Sequence, residues 1–91
     1  MPTVIDLNDY GNPIAQLFGE RLRERRRARG LTQSQICEQT GLTKAYVSLV
    51  ERGRANPTLD TMIKLAEAVG AEAWDMIRPA PDQTSHTLHN M

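Results

Sequence analysis

Residues 31–57 read LTQSQICEQTGLTKAYVSLVERGRANP, and a few positions in that run decide how the chain folds. Thr32 stands three residues before Gln35, so its hydroxyl can accept from an early backbone N–H while the Gln35 side chain reaches back to the cap. A helix starts there and runs to about Thr40. At Gly41 the chain must reverse within a few residues, in a left-handed conformation that glycine adopts without a Cβ clash. Thr43 then caps a second helix, which continues through Arg52 and stops at Gly53. Two helices this short need further packing to persist.

Turned at about 100° per residue, the second helix sorts into two faces. Tyr46, Val47 and Val50 share one side, with Glu51 at its margin. Lys44, Ala45, Ser48, Leu49 and Arg52 share the other, a cationic, small or hydroxylic set with one apolar member that suits phosphates and base edges. Seen alone, such a face reads better as ordinary solvated surface. Its linkage to a capped helix, to the Gly41 hinge and to a basic segment upstream favours a helix presented to a DNA major groove.

The flanks supply the packing. Asn12-Pro13 is a helix start, a capping side chain followed by proline at the first helical position, and Ile14, Leu17, Phe18 and Leu22 recur at helical spacing to near Gly30. Thr58 caps another helix after Pro57, with Leu59, Met62, Ile63, Leu65, Ala66 and Val69 forming a broad apolar face before Gly70. A short fifth helix is expected around Ala73–Ile77, and Pro79-Ala-Pro81 breaks any continuation. The chain thus divides into an N-terminal arm (1–12), flexible or packed on protein, one domain (13–78) and a disordered polar tail (79–91). The arm, with Val4, Ile5 and Leu7 among Asp6 and Asp9, is too acidic to enter a minor groove.

Ninety-one residues with 40% apolar content and four aromatics suit one small helical core, marginal enough to gain from dimerisation. The formal net charge is zero, but residues 18–56 hold nine Lys or Arg against four acids and the remainder two against seven. Segregated charge of this kind turns a positive face toward phosphates. The arginine run 25–27 also suits a helix C-terminus. One cysteine excludes an internal disulfide, and neither a secretory leader nor a bilayer-length apolar run is present, so a cytoplasmic protein is expected.

The stretch Gly19-Glu-Arg-Leu-Arg23, Arg26, Gly30-Leu-Thr-Gln33, Ile36, Gly41-Leu-Thr43, Tyr46-Val-Ser48, Val50-Glu-Arg-Gly53, Asn56-Pro-Thr-Leu59 and Leu65-Ala-Glu-Ala-Val-Gly70 resembles the helix-turn-helix family of phage repressors and Cro proteins, the Xre type. It runs in order across about two thirds of the chain. The resemblance implies an all-α, compact five-helix bundle of the lambda-repressor-like type, with the second helix crossing the DNA backbone and the third in the groove. It assigns Gln33 to a DNA phosphate, and Lys44, Ala45, Ser48 and Leu49 to base-contacting positions. Thr43, Arg52, Arg54 and Asn56 complete the candidate DNA-binding set. Arg26 and Glu51 occupy positions where the family ties its first and third helices together. Arg25 and Trp74 depart from the family pattern, the first usually apolar and the second usually polar.

Other chemistry finds little support. Cys37 stands where the family usually has alanine and reads as a small hydrophobe. His86 and His89 lack further ligands, so no metal or cofactor is assigned. No nucleophile with a positioned base and no phosphate loop is present, and an enzyme is not expected. The sequence therefore implies a sequence-specific transcriptional regulator, a repressor or controller protein, binding a palindromic operator in double-stranded DNA as a homodimer. The alternative is a protein-interaction module or antitoxin in which partner binding dominates. Trp74, with Ile77, is the candidate dimer contact, since Ala73, Met76 and Ile77 already fill the inward face of so short a helix.

Overall fold

The structure, a computed structural model, describes residues 12–79. Among the described residues four α-helices follow one another, α1 (Pro13–Ala28), α2 (Gln33–Thr40), α3 (Lys44–Glu51) and α4 (Leu59–Ala68), and a 3-10 turn, Ala73–Met76, comes after them. Residues 1–11 of the N-terminal arm and the tail from residue 80, with His86 and His89, lie outside the described residues.

Each α-helix begins at the cap its sequence supplies. Asn12 Oδ1 accepts from the Ile14 and Ala15 backbone N–H groups at 2.9 and 3.4 Å, with Pro13 at the first helical position. Thr32 and Gln35 form the reciprocal capping box: the Gln35 N–H donates to Thr32 Oγ1 at 3.1 Å, and the Thr32 N–H to Gln35 Oε1 at 2.8 Å. Thr43 accepts from the Tyr46 N–H at 3.1 Å and Thr58 from the Thr61 N–H at 3.2 Å. Gly41, at φ 78°, reverses the chain after α2 and returns its N–H to the Cys37 carbonyl at 2.8 Å. The α3 helix closes one residue earlier than expected, with Arg52 as its C-cap.

The expected fifth helix is corrected to the 3-10 turn. Residues 71–78 separate Gly70 from Pro79, and Glu72 supplies no side-chain cap. The bonds that form are mainly of the tighter i→i+3 kind, Asp75 N–H to Glu72 O at 3.0 Å and Ile77 N–H to Trp74 O at 3.2 Å. With no side-chain cap at its start and Pro79 close behind, the segment keeps the tighter turn.

Phe18 and Leu22 of α1, Ile36 of α2, Val47 and Val50 of α3, Leu65, Ala66 and Val69 at α4, and Met76 form one buried cluster, with Leu31, Cys37, Leu42, Tyr46 and Met62 packed on its edge. The apolar stripes of α1 and α4 are wider than their neighbours cover. Ile14, Leu59 and Ile63 consequently remain exposed. α1 and α3 approach backbone to backbone at Gly19, where a Cβ would collide with the Val50 carbonyl oxygen and stand 2.9 Å from that of Glu51.

Two long-range contacts complete the frame. Arg21 of α1 donates through Nη1 to the Asp75 and Arg78 carbonyls at 3.0 and 2.6 Å, fastening the 3-10 turn to α1. Asn12 Nδ2 donates to Asn56 Oδ1 at 3.3 Å, joining the start of α1 to the loop after α3.

Candidate nucleic-acid interface

Eight residues make α3 about 12 Å long, and its inner side is wholly committed. Val47 and Val50 are buried in the core, Tyr46 is half-buried, and Glu51 is 4% exposed. The outer side carries Lys44, Ala45, Leu49 and Arg52, all exposed, with Ser48 half-exposed. The two faces divide as the helical period requires. Thr43 is exposed at the N-terminus of α3, and Arg54 and Asn56 are exposed in the loop beyond it. The Arg52 Nε–H donates only within its own helix, to the Ser48 carbonyl at 3.4 Å.

Behind this face lies a buried charge network. Arg26 Nε donates to Glu51 Oε2 at 2.6 Å and Nη2 to Oε1 at 3.0 Å, a bidentate pair, while Nη1 donates to the Leu31 carbonyl at 2.9 Å. Two donors in a fixed fork match a carboxylate. The hydrogen bond to Glu51 raises the Arg26 pKa above its ordinary value, against the opposing effect of burial, and the carboxylate's charge adds to the rise. Glu51, placed by its sequence at the margin of the inner face, is a buried member of it.

The network also reaches Gln33. Its Nε2 donates to Glu51 Oε1 at 3.0 Å, so one of its two amide protons is committed inside the fold. This bond, between residues 18 apart in sequence, has no local signature. Arg21 is a second residue the sequence misplaces. Counted there with the basic segment, it spends its contacts on the carbonyls of the 3-10 turn. Trp74 is 61% exposed, whereas Ile77 is half-buried against the core.

Residues 17–75 match the family model of the helix-turn-helix domain. The chain belongs to this family of DNA-binding transcriptional regulators. Among helix-turn-helix relatives, it is 36% identical over 69 residues to the transcriptional regulator y4dJ of Sinorhizobium fredii, covering 76% of this chain and 90% of that protein. It is 31% identical over 67 residues to the control protein C.BamHI of Bacillus amyloliquefaciens, with coverage of 72% and 83%. The crystal structure of the restriction-modification controller protein C.AhdI from Aeromonas hydrophila superposes with a TM-score of 0.66 at 40% identity, over 71% of this chain and 98% of that one. Among the described residues, no helix is long and apolar enough to cross a membrane.

Proposed function

We propose that this regulator acts in the cytoplasm as a homodimeric repressor or controller, binding a palindromic operator with one α3 in the major groove of each half-site. The observation that carries the reading is the outer face of α3. Five side chains of a type that contacts DNA stand outward on a helix whose other face is fixed in the core. Lys44 is suited to donate to guanine O6 or N7, and Ala45 and Leu49 to meet a thymine methyl. Ser48 completes the reading set. Gln33, Thr43, Arg52, Arg54 and Asn56 lie around it and contact phosphates, fixing register without reading sequence.

The dimer is supported by apolar surface away from α3. Trp74, Leu59 and Ile63 are 61%, 65% and 41% exposed, and large apolar side chains left in water favour a contact between copies. Ile77, half-buried against the core, follows Trp74 at the end of the same turn. A twofold axis there sets two recognition helices about one DNA turn apart, roughly 34 Å.

The test is a duplex selected from a random-sequence library by the wild-type protein, then a matrix of variants against its single-base substitutions. Lys44→Ala and Ser48→Ala should reorder the preferred sequences. Arg54→Ala should weaken all of them nearly alike. An unchanged ranking for both α3 variants would remove α3 as the reader, and failure to select any sequence would remove the DNA reading itself.

A further inference from the structure

Beside the C-terminal end of α3 runs a groove in which Arg52 and Arg54, already assigned to phosphates, meet residues of α1 that no reading so far uses. Gln16, Glu20 and Arg23 of α1 line one side, and Glu51, Arg52 and Arg54 line the other. Arg23, Arg52 and Arg54 are exposed, and among the described residues none has a carboxylate within 4.0 Å. Three guanidinium groups from two parts of the chain therefore border one depression with their donors uncommitted to acids. Glu51 adds little opposing charge, because its carboxylate is buried and held by the bidentate fork of Arg26. Glu20 is the remaining exposed acid in the lining.

The chemistry this arrangement favours is a phosphodiester. Guanidinium donors match phosphate oxygens, and Gln16 supplies a neutral amide donor in the same groove. The floor of the groove is fixed in place. Gln16 packs on Gly53, where an added Cβ would stand 2.7 Å from its Cγ. α1 and the segment following α3 therefore form one surface.

We infer that this groove is a second phosphate-binding element, in which Arg23 of α1 joins Arg52 and Arg54 to grip the DNA backbone beyond the recognition helix. The inference rests on the DNA reading above and extends it to α1. Gln33 holds the backbone at the start of α2, and the groove holds it at the far end of α3. Glu20 opposes the phosphate and moderates affinity.

The experiment measures binding of the selected duplex across a salt series for wild type, Arg23→Ala and Glu20→Gln. Both side chains are exposed, so neither substitution should alter the melting temperature, which is checked alongside. Arg23→Ala should lower affinity roughly three- to tenfold on the selected and on a scrambled duplex alike, and reduce the slope of log K against log salt by about one. Glu20→Gln should raise affinity, by roughly twofold or more. The opposite signs matter, since a groove remote from DNA leaves both values at wild type, and that result overturns the inference. Arg23→Ala reordering sequence preference also overturns it, because the residue would then read bases. A wild-type protein that selects no duplex refutes the DNA reading and this extension together. Normal selection with silent groove variants refutes the extension alone.

Discussion

Gly19→Ala should destabilise this protein, although the substitution usually favours a helix. In an exposed helix interior, alanine exceeds glycine by about 1 kcal/mol. At position 19 the added methyl would collide with the Val50 carbonyl oxygen and lie 2.9 and 3.1 Å from the carbonyl oxygen and carbon of Glu51. These are backbone atoms, with no rotamer to move aside. Relief requires α1 and α3 to separate by on the order of 1 Å, loosening Phe18 and Leu22 against Val47 and Val50 in a core packed near crystal density. Overpacking of this kind costs about 3 kcal/mol at the upper end of its range. Less the propensity gain, the net loss is about 2 kcal/mol, or roughly 8–16 °C in melting temperature for a domain this small. Thermal and urea unfolding followed by helical circular dichroism measures it. A Gly19→Ala protein as stable as its parent, or more so, would refute the close approach of α1 and α3.

Glu51→Ala should remove about 3–5 kcal/mol by stranding the Arg26 guanidinium and releasing Gln33, enough to leave a marginal domain largely unfolded at growth temperature; a urea midpoint near wild type would contradict the buried pair. Arg21→Ala should cost about 1–2 kcal/mol, because the Asp75 and Arg78 carbonyls lose their donor. An unchanged midpoint would show that the 3-10 turn holds without it. Trp74→Ala should leave circular dichroism intact, since the ring is 61% exposed, but shift sedimentation from dimer to monomer. A variant that stays dimeric places the interface elsewhere.

What the sequence made legible was local. Asn12, Thr32, Thr43 and Thr58 each cap a helix within three residues, and Gly41 reverses the chain with no help from distant residues, so a short window suffices to read them. The inner face of α3 was legible for the same reason, as Val47 and Val50 repeat at helical spacing. The last element was harder. Ala73, Met76 and Ile77 turn inward in either an α or a 3-10 geometry, and the choice falls on the absent cap and the nearby proline rather than on periodicity. The long-range bonds carried no signal. Nothing near Arg21 says that its partners lie 54 and 57 residues away, and nothing near Gln33 says that its amide turns toward Glu51. The balance of charge in residues 18–56 is unchanged by the Arg26–Glu51 pair, since both members are in the count, but Arg21 spends donors on backbone carbonyls that counting does not reveal.

The proposed reading face of α3 is only as well placed as the back that supports it. Eight residues cannot hold a helix in water, and α3 ends on Glu51, the one buried acid among the described residues, which joins it at once to α1 through Arg26 and to α2 through Gln33. Residues outside the proposed reading set therefore control binding through the folded fraction. If a substitution lowers stability until folded and unfolded forms are equal, apparent affinity for every sequence falls only about twofold, and each further 1.4 kcal/mol approaches another tenfold. Such losses are uniform across operators and are recovered by any condition that restores folding. Losses from Lys44 or Ser48 differ between operators and are not. That contrast separates the support from the reader without a structure of the complex, because stabilising osmolyte should rescue binding by Arg26→Ala while leaving the altered ranking of Lys44→Ala in place.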